Sequence, residues 1–564
     1  MAPQRNDLRR QGAVGWLLGC GFAVAAFSQA KVQVFDRQSV LDEADKYAHF
    51  DIEKTEPARR GSVLSADGKI LAQSADTYEL GLTYDRVPQS PGFYVALSEA
   101  TGIPATELTN PAEGQKGRVW RTPLSADQAR RVRDVRRKWE ADGVSLDQSK
   151  VRDYPMADAT AGIVGAYRDR TPIAGIEKSM NAELAGTSGE ARGFIDRTGA
   201  FVEDKDRSTK KRVNGANVTL TIDSNIQSSA VQALKTAVES NKAKAGCAIV
   251  MDPKTGDILA CVNWPTFDPG ASWEPGADYN MATMGAYEPG STFKILTLAK
   301  GLDDGVLNLS DRFNCVGQMN VGKVTIHCAS HGGSSAHGNI GLEDAIARSC
   351  NTAAANWALK IGHDPMVAFM DHLGLFEKTD IGLPSERTGV FNRKEWAPKL
   401  QLATVGFGQS MGCVPVNLAA AYSMIANGGM MMKPRLIKSV GDTVEPVRER
   451  GQMVKPETAN TVMHMMESVI ESEHGTGKTL RIPGYTLAGK TGTAQKVGTA
   501  KGMFVANFVG MVPARNPKAV VLVMIDSPSA GQHFGAVVAG PVFLDIAKSI
   551  IRRYGIPADS AAGR

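Results

Sequence analysis

Ser291-Thr292-Phe293-Lys294, Ser349-Cys350-Asn351 and Lys490-Thr491-Gly492-Thr493 lie far apart in the chain, yet together they hold the parts of a serine acyl-transfer site. Serine is a poor nucleophile until a base takes its proton. Ser291 and Lys294 are three residues apart, so on a helix they share one face. A buried lysine whose pKa is lowered by desolvation and by a second cation can be that base. Lys490 is the candidate second cation. Glu288-Pro289-Gly290 and the apolar run after Ser291 mark a helix start, which exposes the hydroxyl and offers backbone N–H groups to an oxyanion. Ser349 can relay a proton between the lysines and a leaving amine, and Asn351 can hold a substrate amide. Lys490, Thr491 and Thr493 suit a carboxylate. The Thr493 N–H offers a second oxyanion donor, and Gly492 lets a substrate backbone lie close. Each string alone has a bland reading: a capped helix with a surface lysine, an N-cap, an edge strand. Only their joint occurrence, in this order, makes a site.

The elements that must position these residues are legible in outline. Helical patterns cover 291–304, 341–361 and 415–428. Before them, Val218–Asp223 reads as a strand and Ser224–Ser240 as an amphipathic helix. The strands Cys247–Asp252 and Asp257–Asn263 are joined by a Pro/Gly turn. Strands return after Lys490, at Phe504–Val512 and Ala519–Ile525. Helices between two groups of strands predict a mixed α/β (α+β) domain whose antiparallel sheet is assembled from both ends. Residues 31 to about 212 are charge-rich. Within them Arg60–Leu71 reads as a hairpin around Asp67-Gly68, and Ser125-Ala126-Asp127-Gln128 as a capping box opening a helix to Trp139. The basic run on that helix reads as a solvated face. Lys205–Arg212 reads as a linker or exposed strand.

With 564 residues the chain is long enough for two or more domains. Its 64 basic and 59 acidic residues leave a net charge of only +5, which does not argue for nucleic acid. Gln11–Ala30 carries no charge and follows Arg5, Arg9 and Arg10. At about 1.5 Å per residue such a helix just spans a hydrocarbon core about 30 Å thick, with the N-terminus in the cytoplasm. A cleaved signal peptide ending at Ser28-Gln29-Ala30 and a loose lipobox at Leu17-Leu18-Gly19-Cys20 are the rival readings. All three export the rest of the chain. Of the seven cysteines, Cys315 and Cys328 flank a strand-turn-strand pattern, Val316–His327, and Cys247 and Cys261 flank another hairpin. Either pair is open to a disulfide or to packed free thiols. With no C-x-x-C, no zinc site is expected.

The three strings match the S-x-x-K, S-x-N and K-T-G set, and through them the chain resembles class B penicillin-binding proteins, the monofunctional transpeptidases of bacterial cell walls. Arg60-Gly61 with Asp67-Gly68, Gly175-Ile176-Glu177, Leu184-Ala185-Gly186, Met251–Gly256, Gly406-Phe407-Gly408-Gln409 and Ala426-Asn427-Gly428-Gly429 are similar to further landmarks of that family. The resemblance implies a cytoplasmic segment (1–10), a membrane anchor (11–30), a β-rich non-catalytic pedestal (31–212), a transpeptidase domain (213–557) and a flexible tail (558–564). It implies Ser291 as the acylated nucleophile, Lys294 as its base and Ser349 and Lys490 as proton carriers. Asn351, Thr491, Gly492 and Thr493 would bind the donor. The substrates would be stem peptides ending in D-Ala-D-Ala, the inhibitors β-lactams, and the location the outer face of the plasma membrane. No metal and no organic cofactor is implied. A polytopic glycan polymerase of the SEDS type is the implied partner. Cys350 departs from expectation, as a thiol in the middle of the second motif; it packs as a buried thiol or pairs with Cys328.

Rival functions are a serine β-lactamase or D,D-carboxypeptidase, a bifunctional enzyme with a glycosyltransferase domain, and an acylable scaffold. A β-lactamase needs only the second domain, and no pair of catalytic glutamates stands out before residue 212.

Overall fold

The computed structural model describes residues 5–31, 50–109, 115–168, 170–195, 201–203, 210–271, 274–328, 335–394, 398–496 and 503–559. It divides into two compact units, residues 1–59 with 185–215, and residues 60–184 with 216–564.

In the smaller unit Phe50–Glu56 pairs antiparallel with Gly189–Ile195, and Phe201–Glu203 adds a third strand. The unit also holds a 26-residue helix, Arg5–Ala30, which includes all of the expected anchor. Its apolarity corrects the sequence expectation, because no helix among the described residues is long and apolar enough to cross a membrane. Gln11, four glycines from Gly12 to Gly21, Ser28 and Gln29 dilute its Leu, Phe and Val content.

The larger unit contains two main sheets. One has seven strands and takes them from both sides of position 212: Val218–Leu220 runs parallel to Val63–Leu64 and antiparallel to Ile437–Val440. The Arg60–Leu71 hairpin forms as its sequence implies, with Gly68 at φ +81° in the turn. Its long arm, Ile70–Thr83, also pairs with Val144–Asp153 and Gly117–Leu124. The capping box is present, with Ser125 and Gln128 bonding reciprocally at the start of Ala126–Lys138. The arginines of that helix are exposed, which is the solvated face expected. Two of the short landmarks meet in this unit. The Glu177 carboxylate, fully buried, takes Arg60 Nε at 2.7 Å on one oxygen and Arg152 Nε at 2.6 Å on the other.

The second sheet has five antiparallel strands in the order Ile258–Trp264, Ala245–Met251, Ala519–Asp526, Phe504–Val512, Ala488–Gln495. It is built from both ends of the segment, as the pattern implied. Ser224–Ser240 and Gly540–Tyr554 cover one face, where Phe508 and Phe543 rings stand 4.7 Å apart. Pro415–Ala426 and Pro456–Glu471 cover the other. With both faces covered, Ala519–Asp526 is buried at every position, so it reads as an unbroken apolar run rather than an alternation. Pro415–Ala426 is likewise buried along its whole length, hence apolar all round.

Candidate active site

Ser291 lies in a single 3-10 turn, Gly290–Phe293, that leads into the helix Lys294–Asp303. The turn is held from several sides. Gly290 N–H bonds to Gly408 O at 2.9 Å, and Tyr422 Oη donates to Thr292 O. Gly408 sits at φ +80°, and a Cβ there would lie 2.1 Å from Gly290 O, so only glycine fits. Thr297 Oγ1 donates to Gly406 O at 2.9 Å, which ties the same glycine-rich segment to the nucleophile's helix. Ser291 itself is half-buried, while Phe293 and Lys294 are fully buried.

Lys294 projects from the first helical position to the second motif. Its Nζ donates to Ser349 O at 2.6 Å, to Asn351 Oδ1 at 2.6 Å and to Ser349 Oγ at 3.1 Å. Three acceptors match the three donors of an ammonium. Burial pushes the group down to about 8, against a pull upward from the nearby thiols Cys350 and Cys328. Lys490 Nζ stands 3.0 Å from the same Ser349 Oγ and 3.0 Å from Thr491 O, and it too is fully buried. Burial first, and the charge of Lys294 second, push Lys490 well below the usual lysine range. The desolvation expected for Lys294 is present, but the cation effect runs the other way: the charge of Lys294 lowers Lys490, and Lys490 does not lower Lys294.

Ser349 is the hinge of this arrangement. It joins the helices Leu342–Ala347 and Asn351–Ile361 and adopts φ +56°, a left-handed conformation that a serine takes at a cost of order 1–3 kcal/mol. The hydroxyl thereby sits between two amines, placed to pass a proton from one to the other. Cys350 caps the second helix, its sulfur accepting from Ala353 N–H.

The third motif lies on Ala488–Gln495, the edge strand of the five-stranded sheet. Thr493 O lies 3.3 Å from where a Cβ of Gly290 would stand. A strand residue sends its N–H and C=O to the same side, so the Thr493 N–H also faces the Ser291 turn, as an oxyanion donor must. Thr491 Oγ1 lies 2.9 Å from Thr476 Oγ1, and Thr493 Oγ1 accepts from Gly535 N at 3.2 Å. Both threonines line a cleft of about 420 Å³ with Arg348, Lys478, His474 and Glu473. Gly492 serves differently from expectation: a Cβ there would meet Asn507 Oδ1 at 2.0 Å, so the glycine makes room for an amide behind the strand. Asn507 Nδ2 in turn donates to Pro289 O at 3.2 Å, bracing the Ser291 turn.

The structure thus joins Lys294, Ser349, Asn351, Lys490 and Thr491 in one hydrogen-bonded cluster and sets the turn that carries Ser291 against Thr493, with Thr491 and Thr493 lining the cleft. Sequence reasoning missed Thr476, Tyr422 and Asn507. Asn507 carries a readable signal, a lone amide in the otherwise apolar run Phe504–Val512; Thr476 and Tyr422 carry none. Of the two readings open for the cysteine pairs, the structure shows the packed free thiols. Cys247 faces Asn263 and Cys261 faces Ile249, so these two are not cross-strand partners, and all seven cysteines carry free thiols.

Comparison with known proteins agrees with this geometry. Residues 246–548 match the model of the penicillin binding protein transpeptidase domain, and residues 55–220 that of the penicillin-binding protein dimerisation domain. The chain is 29% identical to peptidoglycan D,D-transpeptidase FtsI of Escherichia coli over 99% of this chain and 95% of that protein. It is 31% identical to the probable peptidoglycan D,D-transpeptidase PenA of Neisseria meningitidis over 89% and 86%. Among solved structures it is similar to penicillin binding protein 3 from Mycobacterium tuberculosis complexed with aztreonam (TM-score 0.68, 25% identity, 90% of this chain and 98% of that one). With a dimerisation domain before a transpeptidase domain, the chain belongs to the penicillin-binding protein transpeptidases, in their class B arrangement.

Proposed function

We propose that this chain cross-links peptidoglycan as a D,D-transpeptidase whose nucleophile is Ser291. The observation that carries the assignment is the pair of fully buried lysines, Lys294 and Lys490, meeting at one serine hydroxyl behind a half-buried Ser291. Lys294, once neutral, takes the Ser291 proton. The serine oxygen attacks the carbonyl carbon between the two terminal D-Ala residues of a stem peptide. Backbone N–H groups of the Ser291 turn and of Thr493 stabilise the oxyanion. The C–N bond breaks, and the leaving D-Ala amine receives the proton through Ser349 Oγ. An amine of a second stem peptide then attacks the acyl-enzyme and gives its proton back along the same relay, restoring Ser291. Thr491 and Thr493 hydroxyls, with Arg348 and Lys478 lining the cleft, favour a carboxylate-bearing donor. A β-lactam enters as a donor mimic and leaves a slow acyl-enzyme. No step calls for an organic cofactor.

The test is product analysis with a synthetic donor ending in D-Ala-D-Ala and an amine acceptor. A cross-linked dimer and free D-Ala are expected, both absent in Ser291→Ala. Hydrolysed donor alone would overturn the transpeptidase reading in favour of a carboxypeptidase.

The finer placement is a catalytic domain outside the plasma membrane, held there through the Arg5–Ala30 helix although that helix falls short of the apolarity of a full span. What supports it is the charge-free segment after Arg5, Arg9 and Arg10, with Trp16, Leu17, Phe22 and Phe27 exposed. Retention in the membrane fraction after an alkaline wash, lost on deleting 11–30, tests it. Family membership alone supports a SEDS-type glycan polymerase as partner, testable by co-purification.

A further inference from the structure

Cys350, the middle letter of the second motif, is part of a larger cluster. Cys315, Cys328 and Cys350 are buried, at 1%, 6% and 0% exposure, and converge with half-buried His337. Their four ligand atoms all lie within 4.8 Å of one another. Cys315 Sγ stands 3.7 Å from Cys328 Sγ and 3.4 Å from His337 Nδ1, and Cys328 Sγ stands 3.7 Å from Cys350 Sγ.

These distances are the edges of a tetrahedron of known size. Zinc bonds of about 2.3 Å to sulfur and about 2.0–2.1 Å to nitrogen separate two sulfurs by about 3.8 Å, and a sulfur and a nitrogen by about 3.6 Å. We propose that Cys315, Cys328, His337 and Cys350 form a Cys3His site for a structural zinc ion beside the active site.

The surroundings fit thiolate ligands. Ala353 N–H donates to Cys350 Sγ at 3.4 Å, and Thr352 Oγ1 lies 3.4 Å from the sulfurs of Cys315, Cys328 and Cys350. Such outer donors orient and stabilise bound thiolates. A disulfide would use two sulfurs and leave the third thiol and the imidazole without purpose; a tetrahedral ion uses all four. Three sulfurs and one nitrogen select zinc over the hard divalent cations. Binding requires no redox partner: the ion replaces the thiol protons, which leave to solvent.

The ligands come from four separate points. Cys315 ends the strand Arg312–Cys315, Cys328 follows the hairpin 318–327, His337 precedes the strand Gly338–Gly341, and Cys350 caps Asn351–Ile361. The ion would staple this excursion to the peptide that carries Ser349 and Asn351. Asn351 Nδ2 already donates to His327 O at 2.9 Å, next to Cys328. Zinc would thus hold the relay serine in place without touching substrate.

The experiment is elemental analysis of the full chain, purified without chelator and with thiols kept reduced, joined to X-ray absorption at the zinc edge. About one zinc per chain is expected, with three sulfur neighbours and one nitrogen. Cys350→Ser and His337→Ala should each fall below about a tenth of that content, while Cys20→Ser keeps it. Because the wild-type protein is measured directly, misfolding of a variant cannot decide the outcome. Absence of zinc, with no thiolate-to-metal absorption when Co(II) is added to the reduced protein, would overturn the site. So would stoichiometric copper or iron in place of zinc, or a disulfide among Cys315, Cys328 and Cys350 trapped in the cell by alkylation before lysis.

Discussion

Replacing Lys490 by methionine asks whether its charge is what lowers Lys294. Both amines lie about 3 Å from Ser349 Oγ, so they stand no more than about 6 Å apart. Two unit charges at that separation repel by about 3 kcal/mol at an effective dielectric constant of about 20, equal to about two pKa units. If Lys490 were the cation that lowers Lys294, its removal would raise the Lys294 midpoint by about that amount. The structure attributes the depression of Lys294 to burial instead, with no contribution from Lys490. The assay is the second-order rate of acylation by a fluorescent penicillin across about pH 6 to 10, since this profile reports the free enzyme's base. In the wild type the rate should rise with pH through about 8, as Lys294 loses its proton. In Lys490→Met the plateau should fall, because Ser349 loses one amine of its relay, but the midpoint should stay within about half a unit. A midpoint displaced upward by about two units would refute the assignment and make Lys490 the cation.

Gly408→Ala forces a Cβ to within 2.1 Å of Gly290 O at φ +80°; penicillin acylation should drop at least tenfold through displacement of the Ser291 turn, and an unchanged rate would show that the turn does not depend on this contact. Glu177→Gln leaves Arg60 and Arg152 buried without a carboxylate, so urea denaturation should register a loss of about 3–5 kcal/mol; a loss under about 1 kcal/mol would mean the arginines find water. Asp223 caps Ser224–Ser240 through Asn225 N and Ile226 N, and Asp223→Ala should cost about 1 kcal/mol in thermal unfolding with acylation unaltered.

What was legible in the chain was whatever is local. The amphipathic period of Ser224 to about Ser240 and the apolar run of Phe504–Val512 mark out those elements closely, because burial on one face or on two leaves its mark on successive side chains. Ser291 and Lys294 declare each other for the same reason. The Ser125 capping box is likewise a contact between near neighbours. What stayed hidden depends on distant partners. Cys315, Cys328, His337 and Cys350 lack the short spacing of familiar zinc motifs, and their meeting depends on how two small hairpins fold back on a helix start. Val218 gives no hint that it will lie beside Val63. The proton balance of Lys294 and Lys490 follows from burial that neither motif encodes. In the Arg5–Ala30 helix, freedom from charge is plain in the sequence, but its glycines and glutamines leave it less apolar than that freedom suggests.

The account rests most directly on where a penicillin attaches. Intact-mass and peptide mass spectrometry after incubation with benzylpenicillin should find a single adduct, on the peptide containing Ser291, with none in Ser291→Ala. An adduct on another residue, or one that persists in Ser291→Ala, would contradict it.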